Sequence, residues 1–202
     1  MTLKKTDRRI LRTRRMIMDA FTQLLEEKGF EAITVSDLTE KADINRGTFY
    51  QHYKDKYDLL EQSENEIFDG LEKIVINFWN NANYDSQKVI KIDDLLPLTI
   101  KLYEFMGENF IFMKVILGPN GNPSFQNRLK EVIKKNLLHR FSHLLKEENM
   151  MVPSDYLLAY VSSAHLGLIQ HWLECGMDRP PEEVARILSQ TVILGPVKVS
   201  GI

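Results

Sequence analysis

Cysteine is nearly missing from these 202 residues: Cys175 stands alone, which rules out an internal disulfide framework and suits a reducing compartment such as the cytoplasm. No apolar run reaches transmembrane length, and residues 1–15 hold no apolar segment of the secretory type, so neither a membrane partner nor export is expected. Catalytic patterns are missing as well. There is no glycine-rich phosphate loop, no nucleophile set beside a base and no paired-carboxylate motif, so the chain is not expected to be an enzyme and calls for no cofactor. Nor is there an excess of either charge: 26 Lys and Arg against 28 Asp and Glu leave a net −2, a balance that taken globally argues against a nucleic-acid partner. With 44% hydrophobic residues, the chain can bury a core in one domain or two small ones.

The charge that is present is unevenly spread. Residues 1–56 hold twelve Lys and Arg against nine Asp and Glu, net +3, and the remaining fourteen against nineteen make residues 57–202 net −5. The first fifteen residues alone carry +6, from Lys4, Lys5, Arg8, Arg9, Arg12, Arg14 and Arg15 less Asp7. A basic arm on an acidic body confines phosphate attraction to one end, the footprint of a DNA-binding module, although Lys4 and Lys5 taken by themselves could form a solvated tail.

The most informative stretch is residues 42–56, A-D-I-N-R-G-T-F-Y-Q-H-Y-K-D-K. Asn45 is a good N-cap, Ile44 before it can staple onto Phe49, and Asp55 with Lys56 begins another helix, so a helix of barely two turns is bracketed on both sides. On a helical wheel Phe49, His52 and Tyr53 share one arc, while Gly47, Tyr50, Gln51 and Lys54 share the opposite one. One face packs; the other is polar, aromatic and basic.

So short a helix is marginal alone and needs a scaffold. The preceding residues supply one: Thr34 caps a second short helix over residues 35–42, Asp37 stands where a capping-box carboxylate belongs, and Asp43 with Ile44 makes the turn. Helix, tight turn and capped helix with a polar outward face is the pattern of a helix-turn-helix, whose second helix enters the major groove of DNA. An ordinary helical hairpin is the plainer reading of the same stretch.

Thr13-Arg14, Ala20-Phe21, Gly29-Phe30, Thr34-Val35, Leu38, Ala42, Ile44, Gly47-Thr48-Phe49-Tyr50, His52-Tyr53 and Asp55-Lys56 together resemble, in order and spacing, the N-terminal domain of the tetracycline-repressor (TetR) family. Two positions depart from the family pattern. Asp43 replaces the usual turn glycine, tolerable because Asp enters the left-handed region more readily than most residues. Thr39 replaces the usual alanine, so its hydroxyl must find a backbone partner or face outward. The resemblance implies a regulator that binds a double-stranded DNA operator as a homodimer: a repressor released by a small-molecule effector or, alternatively, an activator. Together with the wheel it implies that Arg46, Gly47, Thr48, Tyr50, Gln51 and His52, beside Asn45, face or flank the groove. Thr34, Ser36, Lys54 and Lys56, with the basic arm, would meet phosphates.

Periodicity makes the whole chain helical, an all-α fold of about nine helices in a DNA-binding head of residues 1–55 and an effector-binding and dimerisation body of residues 56–202. The first helix spans residues 7–28, with Ile10, Ile17, Phe21, Leu24 and Leu25 inward and Gly29 as C-cap. A long helix over residues 56–78 carries Leu60, Ile67, Leu71 and Ile74; as the link between head and body, its tilt would change the separation of two recognition helices. Residues 77–87, rich in Asn, read as a loop. Asp93 or Asp94 caps the next helix, which includes Pro97 in its first turn and turns Leu98, Leu102, Phe105 and Met106 inward. Residues 110–117 fit a strand by composition and a short buried helix by context. Helices over residues 124–147, 153–175 and 181–194 follow the turn at 118–123.

In the body, Ala159, Ser163 and Gly167 repeat every four residues, a shallow stripe that serves either a dimer seam or internal packing, and the seam is favoured. Asn109, Phe112, Leu117-Gly-Pro-Asn-Gly121, Phe125 and Trp172-Leu-Glu before Gly176 are similar to the effector domain of a TetR subgroup that includes activators of dihydroxyacetone utilisation, which implies a regulatory domain and names no ligand. Phe105, Met106, Phe110, Met113, His165 and Trp172 outline a mostly apolar pocket for a small hydrophobic effector, though a packed core would have the same composition. His165 can orient a ligand or be an ordinary hydrogen-bonded core histidine. Met106, Met113, Met150, Met151 and Met177 can line an adaptable pocket or fill gaps. His139, His143 and Glu147 share one helix face at metal-ligand spacing, but nothing nearby completes a site, so no metal is expected. Cys175 could sense redox state only as a stabilised thiolate, which the neighbouring Glu174 opposes.

Overall fold

The computed structural model describes residues 3–81, 92–119, 121–141 and 150–201, which divide into two compact units, Met1–Asp69 and Gly70–Ile202. Every regular element among the described residues is helical, as expected: α1 (Leu3–Ala32), α2 (Val35–Lys41), α3 (Arg46–Tyr50), α4 (Lys56–Asn81), α5 (Leu96–Glu108), α6 (Phe110–Leu117), α7 (Pro123–Phe141), α8 (Ser154–Glu174) and α9 (Pro181–Val199).

In the first unit, α1 is broken at Gly29, whose φ of 72° is open to glycine and strained for other residues. The break lies where the sequence ends the helix. Ile17, Phe21, Leu24 and Leu25 are buried, whereas Ile10, expected on the same stripe, is 43% exposed. Periodicity marks a face; the reach of the neighbouring helices decides how much of it is covered. Two ion pairs pin α2 to the end of α1: Lys28 to Asp37 at 2.7 Å, and Lys41 to Glu27. Asp55 caps α4, accepting from the amides of Tyr57 and Asp58 at 2.9 Å each. The inward register of α4 starts at Leu59 rather than Leu60, because Ser63 satisfies its hydroxyl on the Leu59 carbonyl at 2.7 Å and so joins the buried row with Ile67. α4 runs through Asn81, past the expected loop start at residue 77, and residues 82–91 lie outside the described residues.

In the second unit, the expected Asp cap of α5 is replaced by a 3-10 turn, Ile92–Leu95, that feeds the helix directly, and its N-cap Leu95 makes no side-chain bond. Residues 110–117 are helical, so the strand alternative falls. The end of α6 is held by two glutamines, Gln170 and Gln126, whose amides donate to the Leu117 carbonyl at 2.7 and 3.2 Å. Gly121 turns the chain so closely that a Cβ would lie 2.1 Å from the Ile116 carbonyl oxygen. α5 packs on α9, α7 on α8, α6 on both α7 and α8, and α8 on α9 around Phe112, Met113, Leu117, Phe125, Leu129 and Leu173. α9 breaks at Gly195, φ 74°, the residue after the expected end at 194. The second half of α4 also belongs here: a Cβ on Gly70 would lie 2.2 Å from the Phe105 ring, so only glycine lets that ring seat on the helix.

Trp172 anchors this unit. It is 3% exposed, its indole N–H donates to the Arg179 carbonyl at 2.8 Å, and its ring meets Tyr103 edge-on at 5.3 Å between centroids. Trp172→Ala should therefore destabilise the protein by about 3–5 kcal/mol, read as a lowered midpoint in urea, whereas a solvent-facing pocket residue would leave the midpoint nearly unchanged.

Candidate nucleic-acid interface

Two short helices present the outward surface of the head, and each is held by side chains rather than by its own length. Thr34 and Asp37 close a reciprocal capping box: the Asp37 amide donates to Thr34 Oγ1 at 3.2 Å, and the Thr34 amide and hydroxyl both donate to Asp37 Oδ2 at 2.7 Å. The Lys28 ammonium, then the Thr34 bonds, hold the Asp37 carboxyl far below the usual carboxylate range. Thr39, buried where alanine is usual, donates its hydroxyl to the Ser36 carbonyl at 3.0 Å. Asp43 then adopts φ 51°, the left-handed turn required of it, and the Ile44 amide reaches back to the Thr39 carbonyl at 3.0 Å.

Asn45 opens α3 by accepting from the Thr48 amide at 2.7 Å and the Thr48 hydroxyl at 3.1 Å. Gly47 has a local reason as well as an outward one: a Cβ there would crowd the capping Asn45 Oδ1 at 3.2 Å. Phe49 is wholly buried and Tyr53 nearly so, their rings 5.7 Å apart, which fixes the helix by one face. The opposite face is open. Thr34, Ser36, Asn45, Arg46, Gly47, Tyr50, Gln51 and Lys54 are exposed, Thr48 and His52 are half-buried, and Tyr50 at 56% exposure still rests its ring edge-on against Phe49. Arg8, Arg9, Arg12 and Arg15 are exposed along α1.

Two cations are engaged elsewhere. Arg14 bonds Glu66 at 2.6 Å and Gln62 at 3.1 Å and lies over the Tyr53 ring at 5.4 Å, tying α1 to α4. Lys56, expected at phosphate, donates to the carbonyls of Phe30 and Glu31 at 3.2 and 2.9 Å beyond the Gly29 break, with its ammonium 4.8 Å from the Phe30 ring centroid. It closes the exposed C-terminal end of α1 onto the start of α4. Burial, then the charge of Arg14, holds the His52 imidazole below its ordinary value of 6.5.

In the body, Met106, Met113 and Trp172 are buried, while Phe105, Phe110 and His165 are half-buried. His165 Nδ1 lies 2.8 Å from the Val161 carbonyl and so carries the proton, and burial lowers its pKa from 6.5. Trp172 and Gly107 wall an open cleft of about 720 Å³ bounded by Glu104, Met177 and Pro180. Ala159, Ser163 and Gly167 are all exposed on one face of α8, flanked by exposed Tyr156 and Tyr160. Cys175 is exposed with Sγ 3.7 Å from His171 Nε2. His139 belongs to the last turn of α7, and His143 and Glu147, the rest of that expected face, lie outside the described residues. One group the sequence did not single out is Tyr103, buried on α5 with no hydrogen-bond partner for its hydroxyl, where an unmet donor costs about 1–3 kcal/mol. Its spacing of three from Met106 is the only sequence sign that it faces inward.

Comparison with known proteins follows the same division. Residues 17–62 match the family described as bacterial regulatory proteins, tetR family, and residues 93–193 match the one described as transcriptional regulator C-terminal region. The uncharacterized HTH-type transcriptional regulator YxbF of Bacillus subtilis (strain 168) is 28% identical over 97% of this chain and 48% of its own length. IcaR of Staphylococcus aureus (strain Newman), the negative transcriptional regulator of the biofilm operon icaADBC, is 30% identical over 50% of this chain and 51% of its own. The chain thus spans about half the length of the curated relatives it matches. Among solved structures, the fatty acid degradation regulator FadR from Bacillus halodurans overlays with a TM-score of 0.66 at 19% identity, covering 91% of this chain and 96% of that one. The dihydroxyacetone kinase operon activator DhaS overlays with 0.55 at 21% identity, covering 93% and 97%. At such identities the two overlays speak for the fold alone.

The two lowered histidines set a pH dependence. Each folded-state pKa lies below the unfolded 6.5, so as pH falls through 6.5 the unfolded chain takes up protons first and stability is lost. Melting temperature should decline from neutral pH into that range, and less steeply in His52→Gln; thermal melts across the interval that rise on acidification would contradict the assignment.

Proposed function

We propose, on the premise that this chain belongs to the TetR family of bacterial transcriptional regulators, that it is a cytoplasmic DNA-binding repressor whose operator is released by a small, mostly apolar effector. The observation that carries the DNA reading is α3 itself, a five-residue helix capped at Asn45, buried by Phe49 and bare on its other face. Arg46, Gly47, Thr48, Tyr50, Gln51 and His52, next to Asn45, form the base-reading side. Thr34, Ser36 and Lys54, with the exposed arginines of α1, form the phosphate-binding rim. Lys56 serves DNA binding through the position of α1 and α4 rather than by direct contact. Repression is favoured by the likeness to IcaR; an activator role would show as lost rather than raised transcription of the target gene on deletion. Capture of genomic fragments by the purified protein at low salt would yield operator and regulated gene together, and capture of nothing would defeat the reading.

The two kinds of contact separate by measurement. Gln51→Ala should relax discrimination at one base pair, while Lys54→Ala should weaken operator and random DNA alike and reduce the slope of log affinity against log salt by about one. Equal losses from both changes on both DNAs would refute the division.

The copy number of two rests on α8. Half-sites one helical turn apart, roughly 34–36 Å, call for a symmetric dimer, and the exposed Ala159, Ser163 and Gly167 allow close approach of a second α8. A Cβ on Gly167 would meet nothing within 4 Å in its own subunit, so Gly167→Leu should leave the subunit folded and weaken the dimer. Sedimentation showing an unaltered dimer would place the seam elsewhere.

A further inference from the structure

The last turn of α8 brings a thiol and an imidazole together in the open. Cys175 Sγ lies 3.7 Å from His171 Nε2 and 3.9 Å from Nδ1, and both residues are exposed. A spacing of four sets them on one face of the helix, and the backbone fixes that register, since the Cys175 amide donates to the His171 carbonyl at 2.9 Å. The turn is also closed beyond them. The Met177 amide reaches back to the Trp172 carbonyl at 2.9 Å and the Gly176 amide to the Leu173 carbonyl at 3.1 Å, with Gly176 at φ 72°, the Schellman arrangement. The two side chains therefore stand on a fixed helix end rather than a frayed one.

Their separation is that of a chelate. A tetrahedral zinc ion, with a bond of about 2.3 Å to sulfur and about 2.0–2.1 Å to nitrogen, holds the two donors about 3.5 Å apart. The pair already stands close to that spacing. Paired histidines four apart on a helix bind zinc in the same way, and a thiolate in place of one selects transition ions over magnesium or calcium. The surrounding charge suits a cation: Glu174 is exposed beside the pair, and the carbonyl end of a 21-residue helix carries partial negative charge. An S–H bond to the imidazole would give a similar separation, but so weak a donor gains little in solvent. Among the described residues no group of three such ligands forms, so water would fill the remaining positions and the ion would exchange freely.

We propose that His171 and Cys175 form a surface chelate for a divalent transition ion of the zinc class. The ion gains one bond to Nε2 and one to Sγ and gives up bound water, while the thiol proton passes to solvent. The site uses none of the residues assigned to DNA or effector, so it stands or falls apart from those readings.

Cobalt(II) is the probe, titrated in oxygen-free, thiol-free buffer into the reduced full-length protein, Cys175→Ser and His171→Gln, and followed by thiolate-to-cobalt charge transfer in the near ultraviolet. Cys175 is the single cysteine of the chain, so the band reports on this site alone. The wild type should develop the band at one ion per chain, and zinc should bleach it. Cys175→Ser should give no band. His171→Gln should bind cobalt at least about tenfold more weakly, because its thiol then lacks a second donor on the same helix. Both side chains are exposed, so both variants should fold. No band in the wild type at millimolar cobalt would overturn the proposal, and so would an unchanged affinity in His171→Gln. Saturation at half an ion per chain would overturn it as well, since two copies would then share the ion through their thiols.

Discussion

The geometry of the head depends on one backbone conformation, the left-handed turn at Asp43. Helices of seven and five residues are too short to persist by their own hydrogen bonds, and nothing in their propensities sets the angle between them. With φ at 51°, the chain reverses at once after α2, the Ile44 amide closes on Thr39, and Asn45 arrives already placed to cap α3. Phe49 is then wholly buried, as are Ile17, Phe21 and Leu38 in the same unit, and every outward residue of α3 takes its direction from that seat. An aspartate holds this conformation less easily than glycine would, so the caps and ion pairs on either side carry part of its cost.

What was legible in the sequence was local. Thr34 with Asp37, the Asn45 cap and the break at Gly29 involve residues within a few positions of each other, and the chemistry of a cap or a positive φ is written in the residue types themselves. What was not legible was the direction of long cationic side chains. Arg14 finds partners 48 and 52 residues away, and Lys56 finds carbonyls 25 and 26 residues back, so no window of sequence could tell them from free phosphate ligands. The same limit explains the shift from Leu60 to Leu59 in α4, which turns on a serine behaving as core once its hydroxyl bonds its own helix.

In the body the difficulty is of another kind. A pocket for an apolar molecule and the packed interior of a helical domain are built from the same residues, and Met106, Met113 and Trp172 are seated as core would be. Apolar composition therefore discriminates little, and polar accounting discriminates more. His165 has its Nδ1 proton placed on Val161, and the Trp172 indole has Arg179, so their hydrogen bonds need no further explanation.

The division of α3 into a buried and a bare face also bears on how such a protein changes over generations. Arg46, Tyr50 and Gln51 bury little and hold no part of the core, while Phe49 and Tyr53 hold it without reaching the open side. Surface exchanges of this sort usually alter stability by no more than about 0.5 kcal/mol, so a lineage can exchange the outward set one residue at a time with the head still folded. Under the DNA reading proposed for that face, duplicate copies of such a gene are free to drift apart in what they recognise long before they drift apart in shape.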